Sequence, residues 1–292
     1  MRFLFSVDIP EAYVKQFSAN VHMLSEQRMS RLRRTVTSEP VTGEAFSEDR
    51  IGTTQDAANP VTGLHGDTPL NNTPNSRRWG YIQDYDVADL LNKTSQVKLL
   101  IDPESKYTIR HAGVLGRTMD TTIISALGGT AVTGKTGTGT QTLPSAQKIA
   151  HGSLGLTVKK LIDAKTLLDA AEVDEIYERF LVVSAAEIAD LLADDKVTSS
   201  DYNTIQALVQ GKINQYLGFT FIRSQRLVVA SSVRKCYAYV APAVLFGTQV
   251  EPNTVVAQRP DKRMATQIYT SGSFGAVRIE DEQVVEISTY HA

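Results

Sequence analysis

The chain of 292 residues contains a single cysteine, Cys236, which excludes an internal disulfide and is compatible with a reducing compartment. It contains no run of about 18 to 20 apolar residues, so the sequence predicts no transmembrane helix. The first residues, MRFLFSVDIP, reach Asp8 and Pro10 too early for the core of a secretory signal. None of the five histidines has another histidine four residues away. We therefore expect a protein that stays where it is made, with no metal and no cofactor.

The charge of the chain is nearly balanced, with a formal net charge of -2, and this argues against a general coat for nucleic acid. Hydrophobic residues make up 42% of the sequence and charged residues 21%, which is enough to fill one or two ordinary cores. One short segment departs from the balance, because it holds Arg28, Arg31, Arg33 and Arg34. This segment is the predicted anion contact of the chain.

Residues 129–136, GTAVTGKT, match the phosphate-loop pattern G-x-x-x-x-G-K-[ST], with Lys135 and Thr136 at its end. A working phosphate loop joins a buried strand to a helix, whose amino-terminal N–H groups bind the phosphates. Here the pattern follows the end of a predicted helix and precedes GTGTQTLPSAQ, whose glycines, threonines and proline do not favour a helix. The segment is therefore predicted to be a loop or hairpin that joins two elements.

The first half of the chain shows an unusual order of segments. A loosely helical and basic segment runs to about Arg34, and residues 40–78 are rich in Thr, Gly, Asn, Asp and Pro. Aromatic and β-branched residues return in WGYIQDY, residues 79–85, so we expect a long hairpin. Asp102, Pro103 and Glu104 then provide the start signals of a helix that continues to Leu127 and ends at two glycines.

The remaining chain alternates predicted helices and strands. The predicted helices are VADLLNKT (87–94), LTVKKLIDAKTLLDAA (156–171), a helix after RFLVVS (179–184) in which Ser184 and Glu187 form a capping box, and a helix pair over 198–216. The predicted strands are 179–184, 218–222, 233–240 and a carboxy-terminal group up to about residue 289, with a break at Ser271–Gly272 and a turn near Glu280–Asp281. The sequence therefore indicates the α+β class.

In this order of segments the chain resembles the major capsid proteins of tailed double-stranded DNA phages, which have the Hong Kong phage-type capsid fold. Three stretches carry the resemblance: YDVADLLNKTSQVKLLIDPESKYTIRHAGVLGRTMDTTIISALGG, then FLVVSAAEIADLLADD with GKINQYLGFTFIRSQ, and VVAQRPDKRMATQIYTSGSFGAVRIEDEQVVEI. The resemblance implies an N-arm (1–38), an extended loop (39–85), a peripheral domain (86–149 and 251–292) and an α/β axial domain (150–250). The peripheral domain would contain the spine helix, residues 103–127, and the strands of residues 255–289.

The resemblance also implies partners and contact residues. Copies of the chain would form hexamers and pentamers of an icosahedral head around double-stranded DNA, with no catalytic site and no membrane. Further partners would be a separate scaffolding protein, a portal and a decoration protein, and the shell would be assembled in the host cytoplasm. Arg50, Arg77, Arg78 and Trp79 are the expected assembly contacts of the extended loop, because no lysine stands between Thr35 and Asn92 to form the covalent cross-link of some family members. The arm arginines would face either the DNA or a neighbouring subunit.

Two other functions remain open from the sequence. One is a bacterial nanocompartment shell of the same fold, which encloses an enzyme rather than DNA. The other is a nucleotide-binding enzyme that uses Lys135 and Thr136.

Overall fold

The computed structural model describes residue 27 and residues 29–52, 73–91, 104–193 and 214–290. These ranges contain both helices and strands, which confirms the predicted α+β class. The helices are α1 (Glu104–Gly128), α2 (Val158–Ala170) and α3 (Ala185–Ala193). The strands are β1 (Thr37–Pro40), β2 (Ala45–Ile51), β3 (Asn75–Tyr81), β4 (Gln83–Leu91), β5 (Ala131–Thr133), β6 (Gly139–Gln141), β7 (Lys148–Ile149), β8 (Arg179–Val183), β9 (Gln215–Tyr216), β10 (Phe219–Arg223), β11 (Val229–Ala230), β12 (Val233–Val240), β13 (Val244–Arg259), β14 (Ala265–Arg278) and β15 (Val284–Tyr290).

Helix α1 confirms the long helix predicted from the sequence. It has 25 residues, which corresponds to about 37 Å at a rise of 1.5 Å per residue. Its predicted cap, Asp102, and Pro103 lie outside the described residues. Leu115, Met119 and Ile123 repeat at a spacing of four and are buried, so one face of the helix enters the core.

A four-stranded sheet with the order β1-β13-β14-β4 packs against α1. The predicted helix over 87–94 is wrong where it is described, because Gln83–Leu91 form β4 and pair with β14 along its full length. Tertiary pairing here overrides a local helical preference. The predicted break at Ser271–Gly272 is also wrong. The irregularity lies in the partner strand β13, where the register shifts between Thr248 and Asn253.

A seven-stranded sheet holds most of the core, with the order β7-β15-β12-β8-β10-β9 and β11 paired to β12. All five residues of β8 are buried. The predicted capping box is confirmed, since the Ser184 backbone N–H donates to Glu187 Oε2 at 2.9 Å at the start of α3. Strand β15 pairs with β12 in this sheet, so the expectation that all strands of 255–289 accompany the long helix is corrected for β15.

The third sheet, with the order β2-β3-β5-β6, contains the two strands of the predicted long hairpin. Strands β2 and β3 pair from Ala45↔Tyr81 to Ile51↔Asn75. The chain between them, residues 53–72, lies outside the described residues, as do most of the predicted helix pair over 198–216 and the first part of the basic segment. The end of the helix pair is described, and there Gln215–Tyr216 form strand β9 rather than a helix.

Candidate functional site

The GTAVTGKT segment forms a β-hairpin, as predicted. Strands β5 and β6 pair from Ala131↔Gln141 to Thr133↔Gly139, and Lys135 and Thr136 lie exposed in the turn between them. The segment follows the end of α1, and no helix begins after it within residues 137–147 apart from one 3-10 turn. The strand, loop and helix that a phosphate site requires are therefore not present around Lys135.

This turn is fastened to strand β3 by the only tryptophan of the chain. Trp79 Nε1 donates to the Gly134 carbonyl at 2.7 Å, and the Gly134 N–H donates to the Arg77 carbonyl at 3.1 Å. Gly137 has a φ of 70°, and a Cβ there would lie 3.2 Å from Tyr81 Oη. The hairpin β5–β6 therefore braces the base of the hairpin β2–β3.

Arg77 lies on the exposed side of the same strand. Its guanidinium forms two hydrogen bonds with Asp49 on β2, of which the Nη2–Oδ2 bond measures 2.8 Å, and it lies 5.8 Å from the centre of the Trp79 ring. The hydrogen bond with Arg77 lowers the pKa of the Asp49 carboxyl and raises that of the guanidinium. Arg50 pairs with Glu282 at 3.1 Å. The contacts of both arginines are therefore within one chain, and their expected contact with a neighbour stays a prediction, as does that of Trp79.

Arg78 differs from the other predicted contact residues, because it is 4% exposed. Its Nη2 donates to Asp281 Oδ2 at 2.7 Å, while Asp281 Oδ1 accepts from Arg278 Nε at 2.6 Å. Arg78 points to the interior because Asp281, in the turn between β14 and β15, provides the counter-charge there. Arg78 is therefore bonded within its own subunit, and its expected contact with a neighbour stays a prediction.

Arg278 connects this buried ion cluster to the end of α1. The side chain is completely buried, and its Nη1 donates to the carbonyls of Leu127 at 2.9 Å and Gly129 at 2.7 Å. The last carbonyls of a helix have no partner within the helix and carry partial negative charge, so a cation stabilises them. Arg278 therefore caps α1, and Asp281 joins that cap to the base of hairpin β2–β3.

The basic segment is fixed to the middle of α1 by Asp120. This carboxylate is completely buried and accepts hydrogen bonds from Ser30 Oγ at 2.6 Å and from the backbone N–H groups of Arg31 and Leu32, both at 3.0 Å. The chain crosses the helix at Gly116, where a Cβ would lie 2.7 Å from the Ser30 nitrogen. Close approach of the two backbones therefore requires glycine at this position.

The arm arginines diverge from this anchor. Arg33 pairs with Glu251, with a bond of 2.8 Å from Nη1, and lies over the Phe246 ring at 5.9 Å. Arg31 Nη1 donates to the Arg223 carbonyl at 2.5 Å. Arg34 is exposed, and its side chain has no hydrogen bond or ion pair within the described part of the chain. Arg28 lies outside that part.

Asp120, Arg278 and Asp281 were missed in the sequence analysis. An aspartate in the middle of an amphipathic helix, facing the same side as Leu115 and Met119, was the available signal for Asp120. Lys160 is a fourth such residue, since its buried Nζ donates to the carbonyls of His151, Leu154, Gly155 and Ser288. Burial lowers the pKa of this ammonium.

The described residues contain no group of three or more His, Cys, Asp or Glu side chains placed to hold a metal ion. Among those residues, no helix is long and apolar enough to cross a membrane. Cys236 is completely buried, and burial raises the pKa of its thiol well above the usual range. The arm anchor at Asp120 and the ion cluster below the hairpin β2–β3 thus hold parts of the chain together.

Comparison with known proteins gives one family and several structures. A family model described as "Phage capsid protein" matches residues 9–290. The capsid of Ralstonia phage GP4 is similar with a TM-score of 0.73 at 12% identity, over 100% of this chain and 99% of that one. The acid-stable capsid of Helicobacter pylori bacteriophage KHP30 has a TM-score of 0.69 at 9% identity, over 95% of each chain. The capsid of cyanophage P-SCSP1u has a TM-score of 0.68 at 13% identity, over 97% and 94%. No curated protein sequence matches.

Proposed function

Since this chain belongs to the phage capsid protein family, it is a major capsid protein of an icosahedral phage head, and we propose that its copies assemble as hexamers and pentamers clasped by the extended loop. The fold is that of the phage capsids compared above. The protein is therefore a structural component of the virion. Such a shell is stabilised by subunit interfaces that repeat with its symmetry.

The observation that carries the clasping proposal is the contrast between the base and the strands of hairpin β2–β3. The base is fixed by the buried Arg78–Asp281 pair and by the Trp79 bond to Gly134. At the other end of the hairpin, where β2 ends, the side chain of Ile51 is 77% exposed. A hairpin with a fixed base and the uncovered apolar side chain of Ile51 at its far end is suited to lie on the surface of a second subunit.

The proposed function also divides the chain into four parts. We assign residues 1–38 to the arm, 39–85 to the extended loop, 86–149 and 251–292 to a peripheral domain with α1 as its spine, and 150–250 to an axial domain. Strand β15 lies within residues 251–292 but pairs with β12 of residues 150–250 over seven residue pairs. This pairing would couple the two domains.

The remaining partners are inferred from the function of a head. Copies of the chain would meet a separate scaffolding protein, a portal, a decoration protein and packaged DNA, with assembly in the host cytoplasm. DNA would be contacted without sequence preference, because basic side chains bind phosphates by charge alone. No residue of the described ranges is proposed to catalyse a reaction.

The proposal is tested by shortening the extended loop. Residues 53–73 are replaced by Asn-Gly, which joins Gly52 to Pro74, two residues linked by a hydrogen bond of 2.8 Å, as a two-residue turn and leaves β2 and β3 intact. We expect a variant that folds like the wild type by circular dichroism but forms no stable shells in sedimentation and electron microscopy. Normal shells from this variant would contradict the clasp.

Lys135→Ala provides the matched control, because Lys135 is exposed in the neighbouring turn. We expect this variant to assemble like the wild type. If Lys135→Ala instead abolished binding of ATP by the purified protein, the nucleotide-enzyme alternative would be revived.

A further inference from the structure

A groove of about 910 Å³ lies between the arm, helix α1 and strand β13. We call it the arm groove. Its apolar side is formed by Met29, Val36, Ala112, Met119 and Pro252, and its basic side by Arg31, Arg33 and Arg34. Met29 is 77% exposed although it stands next to this groove. The arm groove therefore combines uncovered apolar surface with positive charge.

The three arginines differ in whether their guanidinium groups already have an ion-pair partner. Arg33 is held by Glu251, and Arg31 donates to a backbone carbonyl, which leaves its positive charge without a carboxylate partner in the described residues. Arg34 has no side-chain partner there and is exposed. An anionic group can therefore bind at Arg31 and Arg34 without breaking an ion pair that the subunit already has.

A surface of opposite character lies between α2 and β8, at residues 172–178. We call it the acidic loop. It carries the carboxylates Glu172, Asp174, Glu175 and Glu178 around two uncovered apolar side chains, Ile176 and Tyr177. Ile176 is 85% exposed and Tyr177 46%.

The acidic loop holds these side chains in a defined turn. Asp174 Oδ1 accepts from the Ile176 N–H at 3.0 Å, and the Asp174 carbonyl accepts from the Tyr177 N–H at 3.2 Å. Glu178 Oε1 accepts from Thr220 Oγ1 at 2.5 Å and ties the turn to β10. A turn that is already ordered loses little entropy when it binds, so Ile176 is displayed in a form ready for contact.

We propose that the arm groove of one subunit receives the acidic loop of a second copy of this chain. Ile176 and Tyr177 then cover Met29 and the apolar side of the groove, while the carboxylate of Glu175 pairs with Arg34. This inference rests on the proposed assembly, and it assigns the arm arginines to a neighbouring subunit rather than to DNA. Every copy carries both surfaces, so each can give one such contact and accept another. The two surfaces are complementary in charge, and both carry uncovered apolar side chains that the contact would bury.

The test is a charge exchange in the assembling protein. Arg34→Glu and Glu175→Arg each place like charges in the contact, and we expect each to raise the subunit concentration needed for shell formation by about tenfold or more. The double variant with both changes restores an opposite pair and is expected to assemble close to the wild type. Lys165→Glu, a reversal at an exposed position of α2, is the control and should have little effect.

Mixing the two single variants separates a contact between chains from one within a chain. The groove of the Arg34→Glu variant can then accept the loop of the Glu175→Arg variant, so we expect the mixture to recover assembly that neither variant shows alone. Recovery in the double variant without recovery in the mixture would place the pair within one chain and overturn the proposal.

Other outcomes are equally informative. Wild-type protein that forms no shells even when the scaffolding protein is supplied would refute the proposed assembly itself. Single variants that assemble as the wild type does would refute only the docking of the loop. A strong effect of Arg34→Glu with none of Glu175→Arg would overturn the docking and assign the groove to another anionic ligand, such as packaged DNA.

Discussion

Replacement of Asp120 by asparagine tests whether the arm is held to the spine helix by one buried carboxylate. Asn keeps the shape and one carbonyl oxygen, but its NH₂ group faces donors where an oxygen accepted them. Ser30 Oγ and the N–H groups of Arg31 and Leu32 all donate to the carboxylate. All three bonds go to Oδ1, whose place the neutral Asn oxygen takes without the charge, whereas the NH₂ group takes the place of Oδ2 and meets the Gln27 amide, whose Nε2 donates to Oδ2 at 2.5 Å.

The magnitude follows from the number and kind of these bonds. A hydrogen bond to a charged group contributes about 1.5–3 kcal/mol, and the three contributions are not additive. Asn retains part of them, so we expect a net loss of about 2 kcal/mol. Leu32, which is completely buried, would lose its fixed position together with the bonds. A loss of this size corresponds to about 30-fold in an equilibrium constant and to about 4–8 °C in Tm.

Hydrogen exchange is the assay, because it reports on the arm directly. In purified subunits before assembly, the amides of Arg31 and Leu32 should exchange about 30-fold faster in Asp120→Asn than in the wild type. The control is Asp163→Asn, the same change on the exposed side of α2, where Asp163 pairs only with Lys159 at 2.8 Å. Such an exposed pair contributes about 0.3–0.5 kcal/mol. Equal exchange rates at Arg31 and Leu32 in the two variants would refute the anchor.

Three further predictions concern the buried groups. Arg278→Met should destabilise the unassembled subunit by about 3–5 kcal/mol in urea unfolding. The change leaves Asp281 with Arg78 as its one cationic partner and removes the cap from the end of α1. A loss below about 1 kcal/mol would contradict the capping role. Cys236 should resist thiol reagents in the native protein and react after denaturation, since burial raises its pKa, and prompt labelling of the native protein would oppose this. Burial raises the pKa of the Tyr239 hydroxyl in the folded protein. The neutral hydroxyl therefore contributes its full stability below the ordinary pKa of 10.0, and this contribution is lost as the pH rises above that value. Between about pH 8 and about pH 11, the free energy of unfolding in urea should fall less in Tyr239→Phe than in the wild type, and an equal fall would contradict the burial of a neutral Tyr239.

Much of the architecture is predictable from local signals. Asp102, Pro103 and the glycines after Leu127 indicate α1, and the Ser184–Glu187 spacing indicates α3, because these signals act within a few residues. The GTAVTGKT segment is predictable as a hairpin for the same reason, since the residues after it do not favour a helix. The charge of the arm is equally visible in the sequence.

The parts that sequence reasoning missed depend on distant partners. VADLL, residues 87–91, has a helical composition, and only pairing with β14 makes it a strand. Arg78 follows the polar residues Asn75, Ser76 and Arg77, and the sequence around it does not indicate burial. It is buried because it forms an ion pair with Asp281, about 200 residues further along the chain. The arm groove and the acidic loop are likewise separated in the sequence, so their complementarity becomes visible only when the exposure of Ile176 and Arg34 is known.

A reconstruction of the assembled particle by electron cryomicroscopy tests the central claim most directly. The account predicts closed icosahedral shells in which hairpin β2–β3 of each subunit lies on a neighbouring subunit. The neighbouring subunit then covers Ile51 of the hairpin. Shells in which that hairpin folds back on its own subunit, or protein that stays monomeric at high concentration, would contradict it.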